Sequence, residues 1–468
     1  MSKTTLGVIF GNRDFFPDKL VTEARGDVAK VLKAAGVNAV MLGEKDTKLG
    51  GVETYSDAKK CAELFRASRD RIDGVWVCLP NFGDEKGVAD VLRLSQLDVP
   101  VLVQAYPDDL DKLNVERRRD GFCGKISVCN NLIQAGTPFT ITTRHVVRPG
   151  DESFRKDLAE FVGVCRVVKG LRKARLGAIG ARPGAFNTVR YSEKILQASG
   201  ISVSTVDWSE LLGQAERMAE GDKAAKAKLD EIRAYMPSDK VPADRLARMA
   251  KLGVVVDKWV GDNELDATAI QCWTSIQANY GINVCTLMSM MSQKLLPSAC
   301  EVDVTGVLSM YALQLASGVP SALVDWNNNY GDEDDKCVLF HCGNWPACYL
   351  PGGEISTAPI LGTSVGEANT YGALTGRTPA GPVTFARLTT DDAAGCIRGY
   401  VAEGMLTDDK LDTFGSRAVA KVAGLQKLMT MICNGGFEHH TAISQSHCAG
   451  ILAEAFEKYM GWDIYRHG

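Results

Sequence analysis

Two acidic residues lie at the edges of apolar segments, where a charge needs a chemical reason. Glu301 stands in CEVDVTG, and Asp325 stands 24 positions further on, in ALVDWNNNYG. Two carboxylates and an imidazole can hold a divalent cation and can also move a proton within one site. Each acid also has a structural explanation. Glu301 precedes a predicted helix, whose N-terminal end attracts carboxylates, and Asp325 precedes a run of turn-forming asparagines.

The histidines that could complete such a site are few, and three of the six lie in one segment, GGFEHHTAISQSH. Their spacing matches neither a zinc finger nor the HExxH motif of metalloproteases, so a solvated loop explains the segment equally well. Both acids, however, lie at the ends of apolar elements, where parallel α/β folds place their sites. This position favours a functional role for the two acids.

The apolar pattern indicates three domains. Residues 1–165 alternate short, β-branched runs with amphipathic helices, which predicts a doubly wound parallel α/β domain. Residues 166–320 predict a second α/β domain, and residues 321–468 predict a β-rich domain that ends in two helices. The runs behind the first prediction are LGVIF, NAVMLG, GVWVCLP and VPVLVQAY, and those behind the third are KCVLFHC and GPVTFARL.

Composition excludes several functional classes. A formal net charge of −4 and a pI near 6.0 give no field that would attract nucleic acid. No apolar run reaches the roughly 18 residues of a membrane span, and the N-terminus has no signal-peptide pattern, so we predict a cytoplasmic protein. The 14 cysteines form no CxxC pair, which indicates reduced, buried thiols rather than disulfides or a structural zinc site.

Four motifs, met in order along the chain, give the sequence a family resemblance. It resembles the superfamily of metal-dependent aldose–ketose isomerases that contains L-fucose isomerase and L-arabinose isomerase, and the step from Glu301 to the Asp325–Trp326 pair resembles the fucose isomerase pattern. The motifs are CEVDVTGVLSMYALQLASGVPSALVDW, VLFHCGNWP, GRTPAGPVTFARLTTDD and EHHTAIS.

This resemblance implies a fold and a metal site. The fold would be two Rossmann-like or flavodoxin-like α/β domains followed by a C-terminal domain with a small antiparallel β-barrel. Glu301, Asp325 and His440 would bind Mn²⁺ or a similar divalent cation. His341 stands where the arabinose branch has a fourth ligand, but the corresponding histidine of the fucose branch is not a ligand. Whether His341 binds the metal therefore stays open.

The resemblance also implies residues of the sugar pocket and a subunit arrangement. Gln271 would lie near the substrate, and Arg13 in GNRDFFP would reach the site of a neighbouring subunit in a trimer-based homo-oligomer such as a hexamer. Asn344 and Trp345 follow a predicted strand and could line the same cleft. Surface solvation would equally explain a single arginine in a loop.

The expected reaction interconverts an open-chain aldose and its 2-ketose through a cis-enediol. Glu301 and Asp325 would act as the acid/base pair, and which of them takes the proton stays open. The superfamily's substrates leave a deoxyhexose, a pentose or a sulfonated hexose such as sulfoquinovose in play. Two other classes also remain, namely a sugar-binding protein without catalysis and a metal-dependent hydrolase.

Overall fold

A computed structural model describes residues 3–468 of the chain. The chain divides into two compact units. The first unit contains the described residues up to Lys169 together with Glu454–Gly461, and the second contains Gly170–Ala453 together with Trp462–Gly468. Most of residues 166–468 therefore lie in the second unit, whereas residues 166–169 and Glu454–Gly461 belong to the first.

The first unit is built around a five-stranded parallel sheet with the strand order β2-β1-β3-β4-β5. Its three central strands, β1, β3 and β4, are almost wholly buried, because helices follow the strands and cover both faces of such a sheet. The elements are β1 (Thr5–Phe10), α1 (Lys19–Ala35), β2 (Asn38–Val40), α2 (Tyr55–Ala67), β3 (Gly74–Leu79), α3 (Glu85–Ser95), β4 (Val101–Ala105), α4 (Gly121–Gln134), β5 (Thr140–Ile141) and α5 (Glu152–Leu171).

One lysine is buried inside this unit. The Nζ atom of Lys125, on α4, donates to Thr142 Oγ1 at 2.7 Å and to the carbonyl oxygen of His145 at 2.8 Å. Burial of the ammonium group lowers the pKa of Lys125 to about 8. The charged form of this side chain is therefore less favourable in the folded protein than in the unfolded chain.

The second unit begins with a four-stranded parallel sheet in the order β7-β6-β8-β9. The helix that follows β9, α12, is buried along almost its whole length, as its uninterrupted apolar sequence predicts. The elements are β6 (Arg175–Ile179), α6 (Glu193–Ala198), β7 (Ser202–Val206), α7 (Trp208–Arg217), α8 (Lys223–Tyr235), α9 (Ala243–Asp262), β8 (Ala267–Ile270), α10 (Ser275–Tyr280), α11 (Cys285–Gln293), β9 (Ser298–Cys300) and α12 (Val304–Ser317).

A nine-stranded mixed sheet forms the rest of this unit, in the order β12-β13-β16-β11-β10-β17-β14-β15-β18. Strand β16 also pairs with β15, so the antiparallel pairings run from β16 through β11, β10, β17, β14 and β15 back to β16. The elements are β10 (Ser321–Tyr330), β11 (Glu333–His341), β12 (Glu354–Ser356), α13 (Pro359–Val365), β13 (Ala373–Arg377), β14 (Gly381–Asp391), β15 (Cys396–Thr407), β16 (Ser416–Lys421), α14 (Leu425–Asn434), β17 (His440–Ser444), α15 (Ala449–Ala453) and β18 (Asp463–Arg466).

The predicted mixture of parallel α/β sheets and a β-rich C-terminal region is confirmed at this level. The runs KCVLFHC and GPVTFARL lie in β11 and β14, and the helical pattern from Leu425 to Ile432 lies in α14. Among residues 3–468, no helix combines the length and the apolar character that a membrane crossing requires.

Candidate active site

The acids and histidines singled out in the sequence meet in the second unit, where Asp325 lies in the middle of a strand and the others lie beside strand ends. Glu301 directly follows β9, Asp325 lies within β10, and His440 begins β17. Strands β10 and β17 are antiparallel, and their register sets Asp325 opposite His440. His341 is the last residue of β11, and its ring centroid lies 5.6 Å from that of His440.

Glu301 is held in an uncommon backbone conformation. Its φ angle is 64° and that of Val302 is 58°, a region that is unfavourable for residues other than glycine and especially for a β-branched one. Such strain persists only where the surroundings hold it, and it is found preferentially at functional sites. The turn aims the Glu301 carboxylate at Trp273, whose indole Nε1 donates to Oε1 at 2.8 Å.

His440 is buried between three carboxylates. Its Nδ1 lies 2.8 Å from Oδ2 of Asp303, and its Nε2 lies 3.0 Å from Oε2 of Glu301 and 3.4 Å from Oδ1 of Asp325. Burial by itself would lower the pKa of His440, but Asp303 and Glu301 raise it to about 10. With Nδ1–H donating to Asp303, the lone pair of a neutral imidazole faces the other two acids.

Asp303 and Arg387, which sequence reasoning missed, support this arrangement from behind. The fully buried guanidinium of Arg387 donates to both oxygens of Asp303, at 2.6 and 3.0 Å, and its Nε donates to Glu438 at 3.0 Å. Burial opposes a charge on Asp303, yet Arg387 and His440 hold its pKa well below the usual range. A charged Asp303 thereby fixes the orientation of the His440 ring.

A glycine makes room for this pair of charges. Asp303 caps α12 by accepting from the backbone N–H of Gly306 at 2.8 Å. A Cβ atom at position 306 would lie 2.4 Å from Asp303 Oδ2 and 3.0 Å from Arg387 Nη1. The close approach therefore requires glycine. A charge within the apolar strand sequence GPVTFARL was the available signal for Arg387, and Asp303 resembled an ordinary helix cap.

The arrangement fits a divalent cation. Glu301 Oε2 and His341 Nε2 are buried and have no hydrogen-bond partner of good geometry, and donor atoms of Glu301, His341 and His440 lie within 4.8 Å of one another. The 3.0 Å contact between Glu301 Oε2 and His440 Nε2 brings two lone pairs together when the imidazole is neutral. A proton or a cation must then lie between these atoms.

The two remaining histidines differ in what they offer. His341 Nδ1 accepts from the backbone N–H of Cys342 at 2.9 Å, which directs the neutral ring's proton to Nε2. His439 is more exposed, and its Nε2 lies 3.5 Å from Asp325 Oδ1. His440 is therefore the imidazole best placed to act as a ligand together with the two acids.

The residues predicted to bind sugar lie in different surroundings. Gln271 accepts from the backbone N–H of Ala181 at 3.1 Å. Asn344 is buried and donates to the carbonyl oxygen of Ser298 at 3.4 Å, and Trp345 is fully buried and donates to a carbonyl oxygen in β10. In the first unit, Arg13 forms an ion pair with Glu85. Within the second unit, these hydrogen bonds of Gln271, Asn344 and Trp345 thus involve backbone groups rather than Glu301, Asp325 or His440.

Phe186 forms a wall of the site. Its ring centroid lies 5.8 Å from that of Trp273, 5.4 Å from that of His439 and 5.8 Å from that of His440. Fixed carboxylates beside imidazoles and aromatic rings make up a class of site that can bind a cation, seat a small polar molecule and transfer protons.

Comparisons with known proteins agree with this class. Residues 7–172 match the sequence model of the fucose/sulfoquinovose isomerase N-terminal domain, and residues 339–467 match that of the L-fucose isomerase C-terminal domain. The sulfoquinovose isomerase of Clostridium sp. (strain MSTE9) is 27% identical over 203 residues, 43% of this chain and 45% of the relative. The sulfoquinovose isomerase of Priestia aryabhattai is 22% identical over 380 residues, 80% of this chain and 81% of the relative.

The two matched domains together span more than half of the chain. The chain belongs to the fucose isomerase superfamily of aldose–ketose isomerases. The predicted family and enzyme class are thereby confirmed.

Proposed function

We propose that this protein is a metal-dependent isomerase that interconverts sulfoquinovose, a sulfonated aldose, and the corresponding 2-ketose. The convergence of Glu301, Asp325 and His440 carries the proposal, because an enediol mechanism needs fixed carboxylates at adjacent sugar carbons. The two relatives named above are sulfoquinovose isomerases, which supports this sugar over the deoxyhexose and pentose alternatives.

The expected cofactor is Mn²⁺ or a similar divalent cation held by Glu301, Asp325 and His440. When bound, such an ion would supply Lewis-acid polarisation of the sugar's carbonyl and hydroxyl oxygens. Asp303 keeps the Nε2 lone pair of His440 available for it, as carboxylates do for many metal-binding histidines.

The two carboxylates would share the proton transfer. Trp273 orients Glu301 through its 2.8 Å hydrogen bond, and Glu301 lies in the wall of a cavity of about 440 Å³. The side chain of Asp325 is 22% exposed, against 10% for that of Glu301, so both acids can reach a bound sugar. One acid would remove the proton from C2 and the other would assist transfer between the two oxygens, with the proton returned to C1.

A second cavity offers cationic groups for the sulfonate. It has a volume of about 580 Å³, and its lining contains three arginines, Arg182, Arg190 and Arg398, together with three acids, Asp391, Asp392 and Glu438. Asn187 also lines this cavity and directly follows Phe186, the residue that contacts the site's histidine rings. Of the three arginines, Arg190 is exposed, whereas Arg398 already pairs with Asp391 at 3.2 Å. We assign Arg190 the main contact with the sulfonate.

The activity test is direct. The purified protein with added Mn²⁺ is incubated with sulfoquinovose, L-fucose or L-arabinose, and the ketose is followed by NMR. We expect turnover of sulfoquinovose and loss of about 10²-fold or more in Glu301→Gln and Asp325→Asn. Deuterium from D₂O should enter C1 of the ketose unless internal transfer outruns exchange. Turnover of L-fucose alone would contradict the substrate, and no turnover of any sugar by metal-loaded protein would contradict the function.

The role of Arg190 has its own measurement. Loss of a charge-assisted contact of about 1.5–3 kcal/mol corresponds to a tenfold or larger fall in kcat/KM. Arg190→Ala should show this fall for sulfoquinovose and little change for an uncharged sugar that the enzyme accepts. Arg217→Ala, which removes an exposed arginine on α7 outside the cavity, is the matched control. Equal effects of Arg190→Ala on both sugars would refute the sulfonate contact.

The working unit is proposed to be a trimer-based homo-oligomer such as a hexamer. In the first unit, α4 leaves an apolar stripe uncovered, since Phe122, Ile126 and Ile133 are 60%, 54% and 68% exposed. An apolar stripe of this kind indicates a protein interface.

We also infer that the returning cycle of six paired strands is the small antiparallel barrel that the family resemblance implies.

A further inference from the structure

Four cysteines that are far apart in the sequence meet inside the second unit. Cys272 follows β8, Cys285 begins α11, Cys300 ends β9, and Cys342 follows β11. The Sγ atoms of Cys285, Cys300 and Cys342 all lie within 4.8 Å of one another. The buried thiol of Cys272 lies outside this set of three.

Ordinary packing does not account for this convergence. Cysteine is often buried as a small apolar residue, and Cys61 and Cys337 are buried in this way. Within residues 3–468, neither of these two belongs to a group of side chains that could share a cation. In the cluster, by contrast, sulfur faces sulfur across three separate segments, which gains nothing over aliphatic side chains of similar size.

The chemistry of thiols provides the reason for the cluster. Thiolates are soft ligands that select Zn²⁺ and Cu⁺ over the hard cations preferred by carboxylates. A Zn–S bond of about 2.3 Å places neighbouring sulfur atoms roughly 3.8 Å apart, so separations of up to 4.8 Å need an adjustment of about 1 Å at most. Each thiol that binds releases one proton, and Cys285 would give up the hydrogen bond that it donates to Asn283 at 3.1 Å.

We propose that Cys285, Cys300 and Cys342 form a binding site for one Zn²⁺ ion. Cys342 lines the same 440 Å³ cavity as Glu301, which provides a route of entry.

The zinc site has a consequence for its neighbours. Cys300 directly precedes Glu301, and Cys342 directly follows His341. An ion that ties the two cysteines together therefore fixes the two turns that present Glu301 and His341. The zinc ion acts as a structural support and takes no part in proton transfer.

The test uses the whole protein, purified anaerobically without chelators. Zinc is measured by mass spectrometry of the metal, and Co²⁺ is then substituted as a spectroscopic probe. We expect one zinc per chain and, with Co²⁺, a strong near-ultraviolet sulfur-to-cobalt charge-transfer band. A carboxylate–imidazole site produces no such band, so Glu301→Gln should retain it. Cys285→Ser combined with Cys300→Ser should lose at least nine tenths of the bound zinc, whereas the buried control Cys337→Ser should keep it.

A second measurement uses the unaltered chain, so its result does not depend on whether the cysteine variants fold. Addition of Zn²⁺ should slow alkylation of the cluster thiols at least tenfold, with alkylation sites read by peptide mass spectrometry. Equal alkylation rates with and without Zn²⁺, together with no charge-transfer band, would overturn the proposal. A disulfide among these cysteines in the freshly purified protein would overturn it as well.

Discussion

Replacement of Asp303 by asparagine tests the support behind the active site. The change keeps the size of the side chain and the oxygen that caps α12, but it removes the charge that faces Arg387 and the obligate acceptor for His440 Nδ1. Loss of one partner from a buried ion pair costs about 3–5 kcal/mol. Because the amide of the Asp303→Asn variant would retain some hydrogen bonds and Glu438 stays bonded to Arg387, we expect a loss of about 3 kcal/mol in unfolding free energy, at the lower end of that range.

The same change should weaken cation binding separately from stability. An asparagine amide can donate to Nδ1, which moves the imidazole proton to Nε2 and directs an N–H group at Glu301. Loss of such a support typically weakens metal binding by about 10–100-fold. Mn²⁺ affinity is measured by isothermal titration calorimetry, and the unfolding free energy is measured by chemical denaturation.

Glu438→Gln is the matched control for Asp303→Asn. This change weakens the interaction of Glu438 with the same buried arginine, Arg387, but Glu438 does not hydrogen-bond to His440. The unfolding free energy should therefore fall, while Mn²⁺ affinity should change by no more than a few fold. If folded Asp303→Asn binds Mn²⁺ as tightly as the unaltered protein, or if both variants lose affinity equally, the proposed orientation of His440 by Asp303 is refuted.

Three further changes test other parts of the structure. Trp273→Phe removes the hydrogen bond to Glu301, so kcat should fall at least tenfold, and the unfolding free energy should fall by up to about 1.5–3 kcal/mol; unchanged kcat would contradict the role of the indole. The pKa of Lys125 is lower in the folded than in the unfolded chain, so the unfolded chain binds more protons above about pH 8. The unfolding free energy should therefore rise by about 2 kcal/mol between about pH 7.5 and 9.5. If the unfolding free energy of Lys125→Met rises with pH as much as that of the unaltered protein, this inference is wrong. Phe122→Glu, which places a charge on the exposed stripe of α4, should lower the mass measured by light scattering, whereas the same change at exposed Leu110 should not; an unchanged oligomer would exclude this stripe as the interface.

Local patterns predicted much of the secondary structure and the main site residues. Apolar, β-branched runs correspond to the buried parallel strands, and the apolar segment after Glu301 forms the buried helix α12. The ordered motifs were enough to indicate the family, because a motif such as CEVDVTG is a short run of residue types that can be identified from the sequence alone. Glu301 and Asp325 could be chosen for their chemistry and position, and the family resemblance added His440.

Tertiary structure alone decided which side chains meet. Asp303 becomes the partner of His440 and Arg387 because α12 begins beside β14 and β17, and no local pattern encodes that pairing. The thiols of Cys285, Cys300 and Cys342 likewise come together only when the start of α11 meets the ends of β9 and β11. Local sequence determines which elements form, because propensity and burial act over a few residues, whereas these contacts depend on packing between elements that are distant in the chain.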